Sequence, residues 1–175
     1  EIFLGISDLD VLNVFARLNT YSVPLNKQEL RNGKYFGVFK QSMYELAYEH
    51  LEFWRRQKIF SERSIARMLE VELTSELSIA QLAGMQDKKK SIDDFYGKYE
   101  EGYNNRARNE KRFREVVDEI GESFEDGLGE TEFSRAPLFY SLFCAISHRR
   151  FGIPKCTYAT NRKPLSAKER SSLAD

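Results

Sequence analysis

Residues 35–58 read YFGVFKQSMYELAYEHLEFWRRQK, and this stretch decides the fold class. Its apolar positions Phe36, Phe39, Met43, Leu46, Ala47, Leu51 and Trp54 recur mostly at spacings of three and four. That period puts them on one face of an α-helix, so 35–58 is expected to be a helix facing a core. Working downstream, Ser61 and Ser64 can cap a second helix carrying Ile65, Met68, Leu69, Leu73, Leu77 and Leu82, with Gly84 at its end. Ser91-Ile92-Asp93-Asp94 opens a long, highly charged helix expected to run to about Phe124. Residues 125–131 (EDGLGET) read as a loop, and Pro137 suits the first turn of a helix from Leu138 to Phe151, which Gly152 and Pro154 end. Ser166 with Glu169 has capping-box spacing and opens a short C-terminal helix.

Upstream, Asn26 with Glu29 is another capping box, and Ser7 with Asp10 a third, ahead of a stripe of Leu9, Leu12, Val14, Phe15 and Leu18. Glu1 to Ile6 (EIFLGI) is short, apolar and partly β-branched, which reads as one strand. The expectation is therefore a mainly α, single-domain bundle of about six or seven helices with at most one N-terminal strand. Within it, 1–34 leads into the bundle, 35–154 forms it, and 155–175 is a basic tail.

Composition agrees with a globular helical chain. Of 175 residues, 41% are hydrophobic and 31% charged, and the 27 Lys and Arg balance 27 Asp and Glu. Net charge thus gives no general pull toward nucleic acid, although local patches can. No apolar run approaches the roughly 18 residues of a membrane span. Cys144 lies in the apolar run LFYSLFCAI and reads as a buried free thiol; with Cys156 in a basic loop the pattern suits a reducing cytoplasm. His50 and His148 lack companions at metal or triad spacing, so no metal site and no catalytic residue is expected.

Phe15 to Asn32, FARLNTYSVPLNKQELRN, carries the one specific functional signal. It resembles the F-x-R-[IL]-N-T-x-x-x-x-L-N-x-x-E-[IL]-R-N block of the GmrSD-type family, the ParB-like N-terminal domains of modification-dependent restriction endonucleases. The resemblance covers mainly residues 2–40, with weaker agreement in helix pattern to about 154. It implies a helical portion that follows a ParB-like α+β subdomain, with Glu1–Ile6 the last strand of that subdomain's sheet. In the family an Asp-Gly-Gln-Gln-Arg motif ahead of the block binds and hydrolyses nucleotide, with NTP and Mg as the expected cofactors. These 175 residues contain no such motif and no HNH nuclease pattern, so this chain alone is expected to be inactive and to need no cofactor of its own. The resemblance places Arg17, Asn19, Thr20, Glu29, Arg31 and Asn32 on the nucleotide cleft, with Arg31 or Asn32 reaching phosphate through a fork or an amide. Tyr21-Ser22-Val23 stands where most members have glycines, which leaves less room for close backbone approach.

A second basic signal lies at the C-terminus. From His148 to Arg170 seven basic residues, among them Arg149, Arg150, Lys155, Arg162 and Lys163, face the single acid Glu169, with Phe151 and Tyr158 interleaved. Basic residues with aromatics suit a phosphate backbone, so these five are the expected DNA contacts. The partners implied are modified DNA, NTP in the intact protein, a nuclease domain or subunit, and a second copy of the chain, in the cytoplasm and away from membranes. A different reading is a non-catalytic all-α module that binds protein or DNA. Residues 99–114 (YEEGYNNRARNEKRFR) are expected to be a salt-bridged solvent face.

Overall fold

The computed structural model describes residues 7, 10, 24–86, 90–124 and 127–174. Among them the chain forms nine α-helices and no strand: α1 (Lys27–Lys34), α2 (Val38–Glu49), α3 (Leu51–Arg56), α4 (Glu62–Ile65), α5 (Leu69–Ala83), α6 (Lys90–Lys98), α7 (Arg106–Ser123), α8 (Ala136–Phe151) and α9 (Ala167–Ala174). Two 3-10 turns, Leu128–Glu130 and Glu132–Ser134, lead into α8. The mainly α bundle expected from periodicity is what forms. The expected strand at Glu1–Ile6, and all of the stripe of Leu9, Leu12, Val14, Phe15 and Leu18, lie outside the described residues.

Helix α5 is the axis of the bundle and packs on α8, α2, α7, α6, α4 and α1. A helix covered on every side buries polar positions as well as apolar ones. Leu73, Leu77 and Ile79 are buried on α5, and so are Glu70, Glu72, Thr74, Ser75, Ser78 and Gln81. The apolar cluster around it includes Phe39, Met43, Leu46, Trp54, Phe113, Ile120, Phe139 and Phe143. Trp54 sits edge-on to Phe139 at 5.5 Å and to Phe53 at 5.2 Å. Such aromatic pairs add about 0.5–1.5 kcal/mol beyond their burial.

Helices are more numerous than the periodicity suggests because three of them are broken. The 35–58 stripe divides at His50, whose Nδ1 lies 2.8 Å from the Leu46 carbonyl oxygen and turns the chain from α2 into α3. Ser61 caps α4 through the Ser64 amide, but Met68 adopts a left-handed conformation (φ 60°) and separates α4 from α5. The long charged helix divides between Lys98 and Arg106. Phe36 and Leu51 leave the core face for the same reason. Phe36 precedes Gly37, the N-cap of α2, so it is not in that helix's register and is 71% exposed. Leu51 starts a new helix and is only half-buried.

The local signals held elsewhere. Pro137 lies in the first turn of α8, and Ser166 and Glu169 close a reciprocal cap on α9. Ser7 and Asp10 bond each other as the cap spacing predicts. Gly84 ends α5 at φ 95°, a conformation glycine adopts without strain. No helix among the described residues is long and apolar enough to cross a membrane.

Candidate functional site

Helix α1 carries the described half of the Phe15–Asn32 block, and it is fastened at both ends. At its start the Asn26 side chain accepts the Glu29 amide (2.9 Å) while Glu29 accepts the Asn26 amide (2.5 Å), closing the capping box. Arg67, from the turn between α4 and α5, donates to Glu29 (2.9 Å) and to the Pro24 carbonyl (2.5 Å). The Arg67 hydrogen bond holds the Glu29 carboxyl below its usual range. Glu29 therefore has its oxygens engaged by the fold, and Pro24 is tied to a fixed point.

One turn on, Arg31 is 3% exposed and spans two helices. Its guanidinium donates to Glu72 on α5 (2.9 Å) and to Asp93 on α6 (3.0 and 3.1 Å). Burial works to discharge it, but the bonds to Asp93 and Glu72 outweigh that effect and its pKa rises. Beside it Gln28 is fully buried and donates to the Tyr96 hydroxyl (3.1 Å). Ser75 gives its proton to the Val71 carbonyl (2.8 Å), so the 2.9 Å contact between Tyr96 and Ser75 must be Tyr96 donating. A directed chain thus runs from Gln28 through Tyr96 and Ser75 to the α5 backbone. Burial pushes the Tyr96 hydroxyl's pKa up.

Of the six cleft residues expected from the resemblance, Glu29 and Arg31 are brought together here, in structural ion pairs. Asn32 is half-buried and its carbonyl accepts from Lys40 (2.7 Å). Arg17, Asn19 and Thr20 lie outside the described residues, as do Tyr21-Ser22-Val23. Gln28 belongs to the network and was not singled out from sequence. Its polar character in KQELRN reads as an exposed position, and only its partner Tyr96, 68 residues away, reveals otherwise.

The C-terminal basic residues divide into two groups. Arg150 donates to Glu119 and Glu115 (both 2.7 Å), Arg149 pairs with Glu169 (2.9 Å), and Arg170 pairs with Glu122. These arginines tie α8 and α9 to α7. Glu119 is 4% exposed and also accepts the Leu165 amide, so it fixes the returning loop as well. Lys155, Arg162 and Lys163 stand exposed with no carboxylate partner among the described residues, and Lys155 and Arg162 have positive φ (65° and 57°). His148 is structural: Nδ1 accepts the Ile153 amide (3.0 Å), which leaves Nε2 to donate to the Tyr158 carbonyl (2.9 Å). In the 99–114 region Arg106 and Arg114 pair with Glu110 at the spacing expected along a helix, and also with Glu45 and Glu49 of α2, while Tyr103, Asn109 and Phe113 turn inward and are buried.

Cys144 and Cys156 are free thiols in one small apolar cluster with Ala80 and Ile153, and burial holds the Cys144 thiol protonated at a pKa near 11. No group of three or more His, Cys, Asp or Glu side chains able to hold a metal occurs among the described residues. No protein-family model, no curated protein and no solved structure matches this chain.

Proposed function

We propose that this chain is the helical part of a modification-dependent restriction or antiphage defence protein, coupling NTP binding and hydrolysis to the sensing of modified DNA. The supporting observation is how the Leu25–Asn32 half of the resembling block is used. Three of its side chains, Asn26, Glu29 and Arg31, hold partners at Arg67, Glu72 and Asp93, and Pro24 is held by Arg67. A mount this constrained holds Pro24 and α1 in place, and preorganised contacts to a phosphate need such a fixed support.

In this reading Glu29 and Arg31 are positioning residues. Arg17, Asn19, Thr20 and Asn32 complete a cleft whose phosphate chemistry comes from the family's Asp-Gly-Gln-Gln-Arg segment, with NTP and Mg bound there. The DNA contacts fall to Lys155, Arg162 and Lys163, because Arg149 and Arg150 are committed to carboxylates. The test is NTP turnover by the gene's full product, its Asn19→Ala and Thr20→Ala variants, and these 175 residues alone. Turnover is expected only from the unmodified full product. Turnover by the 175 residues alone overturns the assignment, and so does a full product that binds neither NTP nor DNA.

The exposed Lys155, Arg162 and Lys163 also favour a second reading, an all-α DNA- or protein-binding module without catalysis. It would bind DNA equally with and without NTP.

A further inference from the structure

The turn between α1 and α2 carries the most exposed large apolar ring of the first half of the bundle after Tyr48. Phe36 is 71% exposed, and its place is fixed by its neighbours. Tyr35 caps the end of α1 and Gly37 the start of α2. The Phe36 amide donates to the Glu100 carboxylate (3.0 Å), and the Val38 amide donates to the Glu100 carbonyl (3.3 Å). A Cβ on Gly37 would stand 2.5 Å from that carbonyl oxygen and closer still to the Glu100 Cα. Gly37 has ordinary backbone angles (φ −73°), so the glycine serves space and not conformation. The turn is pressed against the end of α6, and Phe36 has nowhere to go but outward.

One lysine lies over this ring, and two more, at the ends of α1 and α6, lie over other aromatic faces. Lys40 is 5.0 Å from the Phe36 centroid and 5.4 Å from that of Tyr44. Lys34 is 4.8 Å from Tyr35, and Lys98 is 5.1 Å from Tyr99 and 5.8 Å from Phe95. No ion pair engages any of the three among the described residues. The carboxylates closest to them in the fold have other duties: Asp93 holds Arg31, and Glu100 holds the Phe36 amide. Asp94, one turn before Lys98, and Glu101, beside Glu100, are exposed acids that offset part of this charge, and Glu100 also attracts Lys40. Lys40 covers one face of Phe36, and the high exposure of the ring leaves another side to a partner.

We propose that this corner, built on Phe36 with Lys34, Lys40 and Lys98, docks an unpaired DNA strand, a base stacking on Phe36 and the flanking phosphates meeting the lysines. An exposed ring with one ammonium over it and two further lysines on the adjoining helix ends has the two features that single strands require: a flat apolar face for a base, and positive charge without a carboxylate partner for phosphates. A duplex keeps its bases stacked internally and offers Phe36 nothing. The proposal rests on the DNA-binding part of the reading above, and adds to it a surface on the opposite half of the sequence from the C-terminal loop.

The experiment is fluorescence anisotropy of a fluorescein-labelled oligothymidylate and of a labelled duplex, over a range of salt. The single strand is expected to bind, and Phe36→Ala to weaken it roughly tenfold, the worth of one stacked base. Phe36→Trp should restore it, and Lys34→Gln and Lys98→Gln should each flatten the salt slope by about 0.7. Phe36 is exposed, so the thermal midpoint of Phe36→Ala should match the parent and exclude misfolding. An oligothymidylate affinity that ignores Phe36→Ala but falls with Arg162→Gln and Lys163→Gln overturns the corner and leaves the DNA reading standing. Binding of the duplex alone does the same. Binding of neither strand form removes both.

Discussion

On the α7–α8–α9 side of the bundle three arginines meet carboxylates on neighbouring helices: Arg150 with Glu115 and Glu119, Arg149 with Glu169, Arg170 with Glu122. At the corner between α1 and α2 the surface cations are lysines, and they lie over Tyr35, Phe36, Tyr44, Phe95 and Tyr99 with no ion pair among the described residues. The arginine at that corner, Arg31, has been drawn inside to Glu72 and Asp93. The difference follows from the two head groups. A guanidinium presents a planar fork that matches carboxylates on two helices at once, while an ammonium is a hydrated point charge on a flexible stem. In these two regions the arginine forks named join helices, and the corner's ammonium groups have no carboxylate partner among the described residues. A count of basic residues along the sequence points to the C-terminus, whereas lysines without a carboxylate partner among the described residues also occur at the Phe36 corner.

The strongest way to break this comparison is to remove an arginine that the fold uses. Arg31→Ala leaves Glu72 and Asp93 facing each other at the α5–α6 contact without their bridge. Taking one partner from a buried pair costs about 3–5 kcal/mol, and urea unfolding monitored by circular dichroism should show a loss of that order. Arg31→Lys should recover only part of it, since one ammonium cannot bond both carboxylates in the same plane. If Arg31→Ala costs no more than an exposed lysine substitution such as Lys34→Gln, the division between structural arginines and free lysines fails.

What could be read from the sequence follows the reach of the code. Caps act over three or four residues, so Asn26 with Glu29, Ser166 with Glu169 and Pro137 were all legible. Periodicity over ten or more residues placed Phe39, Met43, Leu46 and Trp54 inside. Arg31 was legible as a residue that either reaches the cleft or pairs with a nearby carboxylate, but its actual partners were not, because they lie 41 and 62 residues away. Phe36 fitted the apolar stripe by spacing alone. Its exposure depends on Gly37 meeting the Glu100 backbone, a contact between segments that no local pattern encodes. Polar residues of α5 such as Thr74 and Ser78 look like a solvent face in sequence, and only the central position of the helix buries them.

A smaller effect sharpens the comparison at the lysine corner. Gly37→Ala inserts a methyl group where the Glu100 backbone already stands, and the turn must move away from α6. Overpacking of this kind typically costs about 1–3 kcal/mol, expected here as a lowered urea midpoint with an unchanged slope. The same shift moves Phe36 relative to Lys98, so single-strand affinity should fall even under conditions where the variant is fully folded. Lost stability with intact affinity would mean that the corner needs no fixed geometry.

The smallest effect concerns a carboxyl that no arginine serves. Glu72 on α5 has Arg31, whereas Glu70, two residues earlier and 7% exposed, keeps Oε2 without a hydrogen-bond partner. Burial raises its pKa above the ordinary 4.5, against a weaker opposing bond from its own backbone. A carboxyl whose folded pKa is raised binds its proton more tightly in the native state, so its contribution favours folding at acid pH. That contribution is lost as pH climbs from the unfolded value through the raised folded one, and at neutral pH the ionised group is a net cost. Glu70→Gln should therefore stabilise the bundle at pH 7 by about 1 kcal/mol, a partial relief of a buried, poorly bonded charge. The gain should shrink toward zero as both proteins are taken below pH 4.5, where Glu70 carries its proton in either state. Carboxyls held below their usual range, such as Glu29 and Glu49, have the opposite dependence, and both proteins share it, so it cancels in the difference. A Glu70→Gln variant that is less stable at pH 7 would mean that the Glu70 charge is matched by a cation after all, and that arginine pairing is not the only way this bundle neutralises its central helix.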